Sequence, residues 1–569
     1  MSTFYNYFTE QVKRNGLTIF CGAGISLDSG FPLANQLVEK LFFEVGITPE
    51  ENSTFLKAKL PFESIAAVFA ELSGSLEFLS IYKKGIPNFN HYLIAELASQ
   101  GYIKTIVTTN FDTLIEQAFE KCGLNDKDVQ VYADEQQFHK INWSNGKITL
   151  VKIHGTINQK RKMAVTLKKV ANAQLSNGRK AVIDHLTSLK QPVLFLGYSF
   201  SDKFDISVHL RLAEKKMADV YTVWHNTKRA APRVMNIHLR TSYPFAGFNR
   251  AMQISVDTGI FMREIADRLL SDRILSPAIT RFHWEKPVES WFENQRSKHP
   301  EMCDAVAARL LYLTGCFPLS EERSQAALKK SVSISKRFDQ LRNLGIVWKE
   351  LGDYDRALEY LTQAHDLSKT LSDKKMRASV LNNISYTYGS KKAYDQAETY
   401  VKQALKLAGK IRNKELLAIA YNNQGILLGA TTRYKAALTS FKRSLQLIDR
   451  VGLIQWKPRT INNQGIATRL LGDPAKALTM HQDALTLAES LGFNDEILLA
   501  RENMGRAYLA LSDFRNAINE TKKACRIAKK SSKQDSYRKC LRLMSEIHAR
   551  QGNHTKSRYY RRRAAFRKA

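Results

Sequence analysis

The chain has 569 residues, of which 44% are hydrophobic and 25% charged. At about 100–200 residues per domain it holds several units. It lacks the ~18-residue apolar run of a membrane-spanning helix, and its first stretch, Met1 to Gly16, lacks a basic-then-apolar export pattern, which predicts a cytoplasmic protein with no membrane partner. Six cysteines (Cys21, Cys122, Cys303, Cys316, Cys525 and Cys540) form no C-x-x-C pair, so neither a zinc ribbon nor a disulfide framework is suggested, and no metal is expected. The formal net charge of +32 is lopsided. Residues 1–275 hold 33 Lys and Arg against 26 Asp and Glu, residues 276–569 hold 53 against 28, and the last fifty hold 17 against 3. Such a field attracts an acidic partner, or it is a solvated basic tail.

In chain order, the first half alternates two kinds of segment. "LTIFCGAG", "IKTIVTTNFD", "ITLVKIHG", "PVLFLGYSFSD" and "DVYTVWHN" are short β-rich runs that mostly end in small or polar residues. "NHYLIAELASQG" and "RKAVIDHLTSLKQ" are helical stretches between some of them. Buried strands alternating with helices predict an α/β, Rossmann-like domain over 1–275, with a parallel sheet and helices on both faces. Ligands of such sheets bind beyond the carboxyl ends of the strands, at a switch in strand order. "VDTGIFMREIADRLLSDRIL" reads as a closing helix, and residues 276–300, with Pro277, Pro287 and Pro300, read as a linker. The basic run "QKRKMAVTLKKV", Gln159 to Val170, reads as a solvated loop.

The second half, 301–569, is all-α and repetitive. Six segments align without gaps, placing Gly345, Ser385, Gly425, Gly465, Gly505 and Ser545 in one series and Ala357, Ala397, Ala437, Ala477, Ala517 and Ser557 in another. Both series step by 40 residues, clearly from about 340, and 301–335 looks like one more degenerate helix pair. Small residues at fixed positions let paired helices approach closely, and stacked pairs make a superhelix with a concave face. The pattern resembles the tetratricopeptide repeat, with longer helices than its usual unit. Asn343, Asn383, Asn423, Asn463 and Asn503 also recur. They either grip an extended peptide on the concave face or bridge neighbouring helices.

The segment "TIFCGAGISLDSGFP", Thr18 to Pro32, raises the question of chemistry. A strand ending in Gly22-Ala23-Gly24-Ile25-Ser26 is a phosphate cradle in physical terms. The dinucleotide fingerprint is not matched, because Leu27 stands where its last glycine falls. The surrounding residues resemble the sirtuin family, in its bacterial sirtuin-like branch, over about 15–270. Gly22, Ala23, Gly24 and Ser26 match its phosphate turn, and Gly30, Phe31 and Pro32 its Gly-Ile-Pro. Pro87, Asn88 and His91 match a helix start. Thr108, Thr109, Asn110 and Asp112 match its Thr-Gln-Asn-x-Asp, with Thr109 in place of Gln. His154 and Gly155 match the His-Gly of the catalytic histidine, Gly197 and Ser199 its Gly-Thr-Ser, and Asn226 an Asn on the adenosine side.

The resemblance implies NAD as substrate, with Asn110, His154 and Asp112 catalytic. Gly22, Ala23, Gly24, Ser26, Phe31, Pro32, Thr109, Gly197, Ser199 and Asn226 would hold NAD. Cleaving the nicotinamide–ribose bond passes through an oxocarbenium-like state. An amide can orient water or a ribose hydroxyl, and an imidazole can take a proton at cellular pH. Asp112 either steadies the nicotinamide end or caps the next helix. Ser199 reads as a cofactor contact, whereas Asp202 is left open between that role and a helix cap. His91 fixes a helix start or lines the pocket.

Departures from the family decide the expected reaction. Leu33, Ala34 and Asn35 stand where deacylating sirtuins have Asp-Phe-Arg, and Thr156 to Leu196 contains no cysteine for their zinc module. Hydrolysis of NAD to nicotinamide and ADP-ribose is therefore expected, ahead of a deacylase, an ADP-ribosyltransferase or a non-catalytic NAD-sensing scaffold. Joined to a repeat array, such a domain resembles abortive-infection effectors of antiphage defence. That implies a homo-oligomer and a protein or peptide ligand on the repeats, a phage component among the candidates.

Overall fold

The computed structural model describes residues 1–58, 60–166, 177–200, 206–213, 215–226, 233–238, 240, 243–270, 282–491, 493–530 and 533–565. Asp202, Lys168 and Lys169 of the basic run, residues 276–281 of the expected linker and residues 566–569 lie outside the described residues. Contacts divide the chain into two units, Met1–Leu41 with Phe69–Asn294 and Phe42–Val68 with Gln295–Ala569.

The first unit is built on eight strands: β1 (Leu17–Cys21), β2 (Ile103–Thr108), β3 (Val129–Tyr132), β4 (Ile148–Lys152), β5 (Pro192–Leu196), β6 (Asp219–His225), β7 (Arg233–Asn236) and β8 (Arg250–Val256). Their order is β3-β4-β2-β1-β5-β6-β8-β7. All neighbours run parallel except β7 and β8, so the expected parallel sheet carries one antiparallel edge. The five apolar runs became β1, β2, β4, β5 and β6. The short strands β3 and β7 are only partly covered and so lack a continuous apolar run.

Strand residues alternate between two faces, and β1 shows the consequence. Ile19 packs with Phe8 of α1 (Ser2–Asn15), and with Leu93 and Phe261 from the helices Phe89–Ser99 and Thr258–Leu269. Phe20 packs on the other face with Val182 and Leu210, from the helices Asn177–Ser188 and Ile206–Leu212. Both β1 residues are fully buried, each worth roughly 1.5–3 kcal/mol against exposure. A sheet with a core on each face is the doubly wound arrangement.

The second unit repeats helix pairs. First helices run Ile334–Leu351, Lys374–Ser390, Lys414–Ala430, Lys457–Leu470, Asn494–Ala510 and Gln534–Arg550. Second helices run Tyr354–Thr370, Tyr394–Lys410, Tyr434–Val451, Pro474–Leu491, Phe514–Lys530 and His554–Ala565. The pair Met302–Thr314 and Phe317–Lys330 precedes them. Within the expected linker, Glu285–Lys298 is a helix, and its residues up to Asn294 belong to the first unit. Most connections between helices carry a left-handed residue: Gly352, Ser372, Lys392, Arg412, Thr432, Gly452, Gly472, Ser512 and Gly552 recur on a 20-residue step. That step is half of the 40-residue period.

The small residues sit where helices of a pair touch. A Cβ on Gly345 would lie 2.5 Å from Leu361, on Gly425 2.6 Å from the Phe441 ring, and on Gly505 2.5 Å from Thr521. Ser385 and Ser545 fill the same place by donating to the carbonyls of Ala397 and Ser557, at 2.9 and 2.8 Å. The asparagines bridge repeats where their bonds are seen. Asn423 donates to the Asn382 carbonyl at 3.0 Å, Asn463 to Asn422 Oδ1 at 3.3 Å and Asn503 to Asn462 Oδ1 at 3.4 Å. Asn503 also donates to the Leu499 carbonyl of its own helix, at 3.0 Å. The array also touches itself across its turn: Lys533 pairs with Asp495 at 2.6 Å and lies 4.7 Å above the Phe317 ring.

Candidate active site

β1 lies between β2 and β5, with strands added on opposite sides, which is the switch point where sheet ligands bind. The strand ends there carry Gly22, Thr109, His154, Gly197 and Asn226 after β1, β2, β4, β5 and β6 respectively. One rim of the unit therefore collects residues from five distant stretches of sequence.

The turn after β1 differs from the expected cradle. Gly22 donates to the Leu196 carbonyl at 2.8 Å, Gly24 to the Gly197 carbonyl at 3.0 Å and Ile25 to the Gly22 carbonyl at 3.2 Å. Three of the amides read as phosphate donors are thus taken up inside the protein. The glycines are required by contact. A Cβ on Gly22 would lie 2.4 Å from the Gly197 oxygen, and one on Gly24 2.7 Å from the Gly197 Cα. Gly197 has φ +63° and would itself meet the Ile25 nitrogen at 2.6 Å. The chain then enters a seven-residue 3-10 helix, Ala23–Ser29, with Ala23 exposed.

The Ser26 hydroxyl is a hub. Its oxygen lies 3.2 Å from Asp112 Oδ2, to which it donates, 3.2 Å from His91 Nε2 and 3.2 Å from Asn110 Nδ2, from which it accepts. The Asn110 amide is thereby oriented, and its backbone N–H donates to Thr108 Oγ1 at 3.0 Å. Asn110 Oδ1 is buried with no hydrogen-bond partner among the described residues. An unsatisfied buried acceptor costs about 1–3 kcal/mol, so this one asks for a donor.

His91 serves the helix start and the hub together. Its Nδ1 lies 2.9 Å from Asn88 Oδ1 within a capping box, and Asn88 donates to the Ile25 carbonyl at 2.8 Å. Complete burial pushes its imidazole down to about 3, so it is neutral at cellular pH. Asp112 combines both readings left open for it: Oδ1 caps the next helix by accepting from Leu114 N–H at 3.1 Å, while Oδ2 faces Ser26. Burial raises its carboxyl above the usual range, against the pull of Lys152. Lys152 is itself buried, donates to the Asp112 carbonyl and pairs with Glu116 at 2.7 Å. It fastens the Asn110–Asp112 segment to the strand leading into His154.

His154 is half-buried and follows Ile153, whose N–H donates to the Thr108 carbonyl at 2.9 Å. Gly155, at φ +87°, turns the chain directly after it. The His154 ring lies 6.3 Å from Phe111, Phe111 6.3 Å from Tyr82, and Tyr82 5.2 Å from Phe31. The Tyr82 hydroxyl donates to the Pro32 carbonyl at 3.5 Å. These rings make a continuous aromatic wall from the Gly30-Phe31-Pro32 turn to His154. Sequence reading did not single out Tyr82 or Phe111 as site residues, although Phe111 lies between Asn110 and Asp112.

Ser26, Asn110 and Asp112 thus meet directly, Phe31 and Pro32 meet through Tyr82, and His154 joins through Phe111. Thr109 donates its N–H to the Cys21 carbonyl at 3.0 Å. Ser199 is exposed after β5, and Asn226, half-buried after β6, donates its N–H to the Val256 carbonyl at 3.1 Å. Leu33 is half-buried, with Ala34 and Asn35 exposed at the start of the helix Ala34–Val45. Among the described residues no cluster of three His, Cys, Asp or Glu is placed to hold a metal, and no helix is long and apolar enough to cross a membrane.

Known families match parts of this chain. The SIR2-like domain model matches residues 104–238, and the tetratricopeptide repeat model matches 337–410, 376–450 and 456–530. An NAD-dependent protein deacetylase of Clostridium perfringens is 32% identical over 134 residues, 20% of this chain and 46% of that protein. The NAD(+) hydrolase ThsA of Enterococcus faecium is 25% identical over 206 residues, 34% of this chain and 39% of that protein. ThsA of Cytobacillus dafuensis is 25% identical over 203 residues, 34% of this chain and 37% of that protein. The chain spans less than half the length of each of these relatives. It carries a SIR2-like domain, on a mostly parallel Rossmann-like sheet, followed by tetratricopeptide repeats.

Proposed function

We propose that the first unit hydrolyses NAD to nicotinamide and ADP-ribose. The observation that carries this reading is the Asn110 amide, with its nitrogen held by Ser26 and its buried oxygen unpartnered. Such an oxygen accepts from a water or a ribose hydroxyl and orients it. In the reaction the C1′–nitrogen bond breaks, its electron pair leaves with nicotinamide, and a water oxygen bonds C1′ while its proton passes to His154. The Phe31–Tyr82–Phe111 wall screens the bond from bulk water. Asp112, at the hub, keeps Ser26 and through it Asn110 in place. Ala23, Thr109, Gly197, Ser199 and Asn226 line the rim on which the rest of NAD would lie.

The ThsA relatives support hydrolysis as the reaction. The cysteine-free interval from Thr156 to Leu196 supports it over transfer to acyl-lysine. An unregulated NAD hydrolase would be toxic, so we assign the repeats a regulatory role, in which a protein or peptide ligand or self-assembly releases activity during antiphage defence. The test is to incubate the full chain with NAD, alone and with extracts of phage-infected cells, and to follow nicotinamide and ADP-ribose. Stoichiometric release of both is expected. NAD left intact under every condition would sink the proposal, and O-acyl-ADP-ribose formed from an acetylated peptide would replace it with deacylation.

A further inference from the structure

The positive charge of the helical unit is concentrated on particular faces. In the helix Phe514–Lys530, Arg515, Lys522, Arg526 and Lys529 are all exposed. Their spacing of seven, four and three residues puts all four on one face at 3.6 residues per turn. The repeat fold does not require this. Forty residues earlier, the same register of the helix Pro474–Leu491 holds Ala475, Gln482, Thr486 and Glu489. None of the four cations has an acidic partner within salt-bridge distance among the described residues.

The next second helix, His554–Ala565, continues the pattern. Lys556, Arg558, Arg561, Arg562 and Arg563 are exposed, the helix has no acidic residue, and Arg562 stands one repeat after Lys522. From Arg515 to Arg563 the sequence holds 16 Lys and Arg against 3 acidic residues. Glu520 is already paired with Arg501 and Lys523, and Asp535 lies 3.7 Å from Arg538. Tyr559 is 53% exposed, with the Arg563 guanidinium 5.5 Å above its ring.

We propose that this face binds a nucleic acid along its phosphate backbone. Four cations in a row over about 21 Å of helix fit a linear polyanion. An exposed tyrosine beside a guanidinium offers the stacking that bases use. A membrane surface would instead ask for an apolar face beside the cations, and no exposed Leu, Ile, Val or Phe stands among the described residues of His554–Ala565. This inference is independent of the hydrolase reading.

The test uses the full chain and a fluorescent 20-nucleotide single strand, read by anisotropy at 50 and 200 mM salt. The variant combines Arg515→Gln, Lys522→Gln, Arg526→Gln and Lys529→Gln, and its thermal midpoint is checked against wild type. Each phosphate contact contributes about −0.7 to the slope of log K against log salt for a single strand. Wild type should bind with a steep slope. The variant should lose at least tenfold in affinity at 50 mM salt, with a slope shallower by about 3. The pair Lys402→Gln and Lys406→Gln, on the helix Tyr394–Lys410, should bind within twofold of wild type. Failure of wild type to bind, equal binding by the four-site variant, or an equal loss in the Lys402/Lys406 pair would overturn the proposal. So would stripe-dependent binding to phosphatidylserine vesicles without binding to the oligonucleotide.

Discussion

The two units solve the burial of polar groups in opposite ways. In the sheet unit they converge: Asn110, Asp112 and His91 all meet one hydroxyl, Ser26. In the repeats the recurring asparagines are spread out, with single amides such as Asn423, Asn463 and Asn503 joining successive repeats. Both units also rely on glycines for contact, yet with different neighbours. Gly22 and Gly24 face the Gly197 backbone, whereas Gly425 faces the ring of the buried Phe441 side chain.

Substitutions at the rim give the largest expected contrast. Asn110→Ala and His154→Ala should each lower nicotinamide release by about 10²–10⁴-fold and leave the thermal midpoint within a few degrees of wild type. Full activity in either variant would remove that residue from the mechanism. A paired glycine test comes next in size. Gly197→Ala and Gly425→Ala should each cost roughly 1–3 kcal/mol by overpacking, read as a shift in urea midpoint. Only Gly197→Ala should also depress release per folded molecule. An equal catalytic loss in Gly425→Ala would dissolve the distinction.

The smallest effect is common to both units. His91 in the hub and His481 in the repeats are buried, and burial pushes each imidazole down to about 3. Unfolded histidine takes a proton near pH 6.5 while these folded ones do not. Their stabilising contribution is therefore complete above about pH 6.5 and is lost as pH falls toward 3, by up to about 1.4 kcal/mol per pH unit for each group. Urea midpoints at pH 7.5 and 5.5 measure the slope, and His481→Gln should flatten it. A slope left unchanged by His481→Gln would remove that ring from the pH dependence.

Legibility from sequence followed the same division. The repeat was readable because one requirement, a small residue at a helix contact, recurs every 40 residues from Gly345 to Ser545. Central strands were readable as apolar runs, since β1 is buried on both faces. The antiparallel edge was not, because β7 is short and half-covered. At the rim, Ser26, Asn110 and Asp112 were readable as types. That Gly22 and Gly24 spend their amides on Leu196 and Gly197 was not, because it depends on which distant strand lies beside β1. The grouping of residues 42–68 with the helical unit left no sequence signal either. Inside that unit it is fixed by pairs such as Glu51 with Arg323, 2.7 Å apart, from far-separated stretches.

The contact of Lys533 with Asp495 and the Phe317 ring has a mechanical meaning. A stack whose members touch only their neighbours melts piecemeal, like a zipper opened from one end. Here a lysine near one extremity of the described helices is clasped to a ring near the other, so the strip is fastened into a hoop. The helices between Phe317 and Lys533 cannot part into two free ends until that clasp opens. A contact between distant members adds cooperativity that nearest-neighbour stacking alone does not supply.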